Sequence, residues 1–107
     1  MTIEPRSPSA ARQWLVKRTE GGPSALRERV LEHAAAVSEG ESAAEYLGLA
    51  AERVLAIVEE HPGDRAIALD LLAADALITL ALLAQAEDAP EGLGAFAEGL
   101  LAAERVV

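Results

Sequence analysis

Between Ala66 and Ala84 the chain is apolar on almost every side, yet it carries two carboxylates, Asp70 and Asp75. A helix that is greasy all round is stable only when surrounded. The rest of the chain must therefore be arranged to cover it, within one molecule or between two. Extended from Asp64 as N-cap to about Glu87, this predicts a central helix over 64–87, about 36 Å long at 1.5 Å per residue. Its seven leucines scatter around most of the circumference. Leaving three of them in water costs about 5–9 kcal/mol, as much as the whole stability of a typical domain. A symmetric homodimer is thus favoured over a monomer, with Leu72, Leu80 and Leu83 expected at the interface.

The same run is long enough to cross a bilayer. Seven Leu and two Ile contribute roughly −4.5 kcal/mol and two central Asp roughly +5 kcal/mol or more, so insertion is not favourable. No basic cluster flanks the run. No membrane span is expected.

The other segments punctuate themselves. Ser7 and Pro8 suit the start of a short first helix, on which Ala11, Trp14, Leu15 and Arg18 share a face, and Gly21-Gly22 suits its end. A second helix is expected from Pro23 or Ser24 to about Ser38, with Leu26, Val30, Leu31, Ala34 and Val37 as its apolar stripe. Ser42-Ala43-Ala44-Glu45 has the form of a capping box. It precedes a third helix in which Leu47, Ala50, Ala51, Val54, Leu55 and Val58 recur in steps of three and four. Pro62-Gly63 stops that helix after His61. Asp88-Ala89-Pro90-Glu91 reads as a further cap, and a fifth helix carries Leu93, Phe96, Ala97, Leu100 and Leu101 on one side to about Glu104. No useful segment alternates apolar and polar residues, so no sheet is expected.

The predicted fold is all-α: a small up-and-down bundle of four main helices plus a short N-terminal helix lying across it, built round the long apolar helix 64–87. Connections of three to five residues favour antiparallel neighbours. Residues 1–7 read as a flexible tail and 8–107 as one helical-bundle domain.

Charge narrows the function classes. The net charge is −9, but residues 1–20 carry four basic and two acidic groups, whereas 21–107 carry five basic and sixteen acidic. An acidic body repels phosphate backbones, so no nucleic-acid partner is expected. The basic first helix, with Trp14, Arg12, Lys17 and Arg18, is expected to fold onto the acidic body, Trp14 plugging the bundle. Contact of residues 8–20 with an anionic membrane is the weaker alternative. The chain has no cysteine, which fits a reducing cytoplasm and removes thiol nucleophiles and thiolate metal sites.

Few residues carry chemistry. Asp70 and Asp75 are five apart, about 140° round a helix, so they do not converge as a catalytic dyad. Asp75 and Thr79, four apart, can hydrogen-bond along one side. A buried carboxylate suits pairing with a cation from a neighbouring helix, with Arg53, Arg65 or Lys17 as candidates. It also suits the anchor of a small-ligand pocket, for which Asp70, Asp75 and Thr79 are the ligand-binding candidates. His33 and His61 lack the Glu-x-x-His spacing of di-iron bundles, so no metal is expected. Gly92, Gly94 and Gly99 lack the lysine and the preceding strand of a phosphate loop and read as places where helices cross closely or where the first turn of the helix is loosened. The serines read as caps and turns with no base beside them. No cofactor and no catalytic residue is expected.

The composition thus points to a non-enzymatic cytoplasmic protein acting through protein–protein contact, as an adaptor, regulator or assembly subunit. It is expected to be a homodimer with a possible unidentified protein partner. The alternative is a small-ligand-binding bundle or enzyme with Asp70 or Asp75 as its polar anchor.

Overall fold

The computed structural model describes residues 7–37, 42–61, 63 and 65–105, with side chains described for 10–37, 42–61, 63 and 65–102. The chain is an all-α bundle: α1 (Ser7–Arg18), α2 (Ser24–Ala35), α3 (Ala43–Glu60), α4 (Ile67–Asp88) and α5 (Leu93–Arg105), the last entered through a single 3₁₀ turn, Pro90–Gly92. No strand occurs among the described residues.

The α3–α4 pair is the centre. Helix α2 lies against α4 and α3, α1 closes over α3 and α2, and α5 leans on α4 and α3. The periodic positions explain the order. On α3, Leu47, Ala50, Ala51 and Val54 are buried, facing the buried Ala73, Ala74, Leu77, Ala81 and Ala84 of α4. Small side chains on both helices let the axes approach closely, and the larger Leu47, Leu77 and Val54 fill the space between. Helix α2 adds Val30 and Ala34, and α1 adds Ala11 and Leu15.

The starts and stops follow local chemistry where the described residues show them. Ser42 caps α3, its hydroxyl accepting from the Glu45 amide at 3.1 Å. Gly21 takes φ +87° just beyond α1, a conformation that glycine adopts without steric penalty. Helix α4 begins at Ile67 rather than at 64, with Ala66 as a cap that offers no side-chain acceptor. Asp64, expected as that cap, lies outside the described residues, as do Ser38, Pro62, the tail 1–6 and the side chain of Ser7. Asp88 closes α4 instead of capping the next helix, and the corner is held by the Gln85 side-chain amide donating to the Ala89 carbonyl at 2.9 Å.

Of the three glycines expected at close crossings, Gly92 sits against α4, where a Cβ would lie 3.1 Å from the Gln85 side-chain nitrogen, whereas nothing lies within 4 Å of that position at Gly94 and Gly99. Gly48, buried on α3, admits neighbours from α5. A Cβ there would lie 3.4 Å from Leu100 and 3.7 Å from Phe96.

Helix α1 lies on the bundle as its charge requires. Trp14 packs against the core, its indole N–H donates to Glu87 Oε1 at 3.2 Å, and Arg18 pairs with Glu87 while its guanidinium sits 5.1 Å from the centre of the Trp14 ring. The basic face is thus tied to the acidic end of α4.

Candidate functional site

Two parts of α4 carry the polar residues singled out above, and they face different surroundings. Asp70 is buried against α2. His33 Nε2 lies 2.8 Å from Asp70 Oδ1, and Arg29 Nε lies 3.1 Å from the same oxygen. The other ring nitrogen of His33 is 3.4 Å from an Arg53 guanidinium nitrogen. A guanidinium can only donate, so Nδ1 accepts and the ring proton sits on Nε2, where it donates to Asp70. Arg29 Nε is close to Asp70 but out of line for a hydrogen bond, so its attraction is that of charge alone.

This arrangement answers the question of what would pair with Asp70. The partners are Arg29 and His33 of α2. Arg53 reaches the cluster only through His33, and Arg65 is exposed. His33 had only its place at the edge of the α2 stripe to signal this role. Its position three residues beyond Val30 and one before Ala34, both core residues, was the available clue.

A histidine held by an aspartate is the base-and-orienter half of many hydrolytic sites. Here both imidazole nitrogens are engaged, by Asp70 and by Arg53, leaving neither to take a proton from a nucleophile. The cluster links α2 to α4 through Asp70 and to α3 through Arg53.

Asp75 and Thr79 lie on the opposite side of α4. Both are exposed, together with Ala68, Leu71, Leu72 and Leu83, while Leu82 and Ala86 are half-buried. Leu71, Leu72 and Leu83 keep 49%, 55% and 37% of their surface in water. The expectation that helix 64–87 is sheltered round its girth is therefore corrected for the single chain: the bundle covers one side of α4 and leaves the other open. The reason is geometric, since three neighbouring helices crowd onto one half of the cylinder. Of the three leucines expected at an interface, Leu72 and Leu83 are on this open face. Leu80 is partly buried and packs against the core. Leu71 takes its place on the face.

An apolar groove of about 530 Å³ runs between α3, α4 and α5, lined by Leu55, Ile78, Leu82, Leu100 and Leu101, with Glu52 and Glu59 on its α3 side. Neither Asp70, Asp75 nor Thr79 lines it. The three ligand-binding candidates are thus not gathered into one pocket. Helix α4 also has the length and hydropathy of a membrane span, but its inner side is committed to α2 and α3 and holds the Asp70 cluster.

Among the described residues no group of three His, Asp or Glu side chains could hold a metal ion. His61 stands exposed at the end of α3. Burial pushes the Tyr46 phenol above its ordinary value near 10, partly offset by Arg12. Its hydroxyl donates to the Ala34 carbonyl at 2.6 Å. No protein-family model matches the chain, and neither a curated protein nor a solved structure matches it.

Proposed function

We propose that this chain is a non-enzymatic helical protein that works through protein–protein contact at the open face of α4, as an adaptor, regulator or assembly subunit, and that its assembled form is a homodimer. One observation carries the reading: three leucines of one helix, Leu71, Leu72 and Leu83, stand in water on one side while the opposite side forms the core. Exposed apolar side chains gathered on one helix face, here on either side of Asp75 and Thr79, mark interaction sites on soluble proteins. The engagement of both His33 nitrogens supports a contact function over a hydrolytic one, and the lack of cysteine suits a reducing compartment such as the cytoplasm.

Light scattering across a hundredfold range of concentration tests it. The expected mass rises from that of one 11.2 kDa chain to that of two. Leu72→Glu and Leu83→Glu are expected to hold the mass at one chain with the helical content unchanged, because neither leucine is part of the core. A single-chain mass for the unaltered protein throughout would overturn self-association.

The groove between α3, α4 and α5 favours a second reading, a small-ligand site. Its lining is apolar, so an amphiphile with a cationic group near Glu52 or Glu59 is the class that fits it. A thermal-shift screen of such compounds, repeated on Leu55→Glu, distinguishes this from the contact reading.

A further inference from the structure

The open face of α4 has an internal order that its composition does not demand. Ala68, Leu72, Asp75, Thr79, Leu82 and Ala86 follow one another in steps of four, three, four, three and four. That 3.5-residue spacing is the seam of a two-helix coiled coil. The first four are exposed and the last two half-buried. Read from either end, the stripe is the same: alanine, leucine, polar, polar, leucine, alanine. A stripe that reads alike in both directions is complementary to itself when turned end for end.

We propose that two copies of this chain pair antiparallel through α4, about a two-fold axis at the level of residue 77, so that Asp75 of each copy accepts a hydrogen bond from the Thr79 hydroxyl of the other. This rests on the reading that the α4 face is a contact surface, and it names the occupant and the register. In the antiparallel arrangement Ala68 lies beside Ala86 of the second copy, Leu72 beside Leu82, and Asp75 beside Thr79, each layer occurring twice. The seam is about 27 Å long at 1.5 Å per residue. Alanines at both ends let the axes come close, and Leu71 and Leu83 flank the seam, where they lose their contact with water.

Two further features select this orientation over a parallel one. Parallel pairing in the same seam sets Asp75 against Asp75, and like charges in contact cost several kcal/mol. Antiparallel pairing gives each carboxylate a hydroxyl donor instead. The ends agree. Arg65 stands exposed just before α4, while Asp88 is exposed in its last turn and Glu87 beside it is taken up by Arg18. Turning one copy end for end brings Arg65 beside Asp88 of the other and sets opposite helix-dipole ends together. Parallel pairing instead sets Asp88 beside Asp88 and Arg65 beside Arg65.

The absence of native cysteine makes the register directly readable. Ala68→Cys and Ala86→Cys are made singly and together and exposed to a mild oxidant. The expected result is a covalent dimer from the double variant and from an equal mixture of the two single variants, with neither single variant cross-linking to itself. Efficient self-linking of Ala68→Cys alone would overturn the antiparallel register. So would an absence of cross-links in a protein that light scattering finds to be a dimer. A single-chain mass in light scattering is a different failure, that of the contact reading itself, and it removes this proposal with it.

A charge exchange gives an independent check. Thr79→Asp sets two carboxylates together in each polar layer and is expected to weaken the dimer by about tenfold or more. Adding Asp75→Thr restores one hydroxyl and one carboxylate per layer, and the double variant is expected to return to within about threefold of the unaltered affinity. Both positions are exposed, so circular dichroism of the variants should be unchanged. A double variant as weak as Thr79→Asp alone would overturn the pairing of these two residues.

Discussion

His33 and Asp70 stand 37 residues apart in the chain and 2.8 Å apart in the fold, and through them α2 is fastened to α4 at a buried point. The contact lies on the inner side of α4, and the exposed Asp75 lies on the outer side. One helix therefore carries two carboxylates with opposite tasks, one holding the bundle together and one facing outward.

Removing the inner carboxylate takes the acceptor from His33 and leaves Arg29 paired with the exposed Glu32. Breaking a buried charge pair typically costs 3–5 kcal/mol. Arg29 keeps about a third of its side chain in water, so the expected loss for Asp70→Ala is smaller, about 2–3 kcal/mol. Asp70→Asn is expected to lose less than Asp70→Ala, since the amide oxygen still accepts from His33. Urea denaturation at a concentration where the protein is monomeric measures both.

Asp75→Asn is expected to leave that monomer stability within about 0.5 kcal/mol, as for most surface substitutions. In the antiparallel pair each Asp75 meets a Thr79 hydroxyl, and the amide oxygen accepts that hydroxyl more weakly than the carboxylate does. The dimer is expected to weaken by about threefold or more, read by sedimentation equilibrium. An unchanged dimer affinity would place Asp75 outside the interface.

Tyr46→Phe deletes the phenol that donates to Ala34 at the end of α2. The expected loss is about 1 kcal/mol. The pH dependence has a definite sign. Because burial raises the phenol's pKa in the folded chain, its neutral form is favoured there. That contribution is fully present below the unfolded value near 10 and is lost as pH rises through the folded value. Denaturation profiles above pH 10 should fall for the unaltered protein and show less of that fall in Tyr46→Phe.

Gly48 can be filled only a little. The space at its Cβ allows ordinary contact with Phe96 and Leu100 of α5, so Gly48→Ala is expected to gain up to about 1 kcal/mol from helix propensity. Gly48→Leu is expected to push α5 away from α3, seen as faster proteolysis within Leu93–Arg105 and little change elsewhere.

Much of this architecture was legible in the residues. The Ser42 cap on the Glu45 amide and the steps of three and four on α3 are local features, set by neighbouring backbone groups and side-chain spacing, and both stand in the fold. The basic first helix and its tryptophan were legible from charge alone, although only the fold shows that Glu87 receives them. His33 was not legible, because a histidine beside a core stripe looks alike whether its ring meets water or a carboxylate from another helix. The close approach at Gly48 was hidden for the same reason: glycine density marks 92–99, where Gly92 meets α4 but Gly94 and Gly99 meet nothing, and which glycine sits at a crossing is decided by which helices meet.

By itself the sequence determined that the chain is helical, where most helices start and stop, and that one of them is too apolar to stand alone, since these follow from periodicity, capping and the free energy of leucine in water. Only the tertiary structure decided which side of that helix is covered, because coverage depends on how many neighbours fit round one half of a cylinder. It thereby assigned Asp70 to the interior with His33 and Arg29, and left Asp75 and Thr79 outward among the exposed leucines.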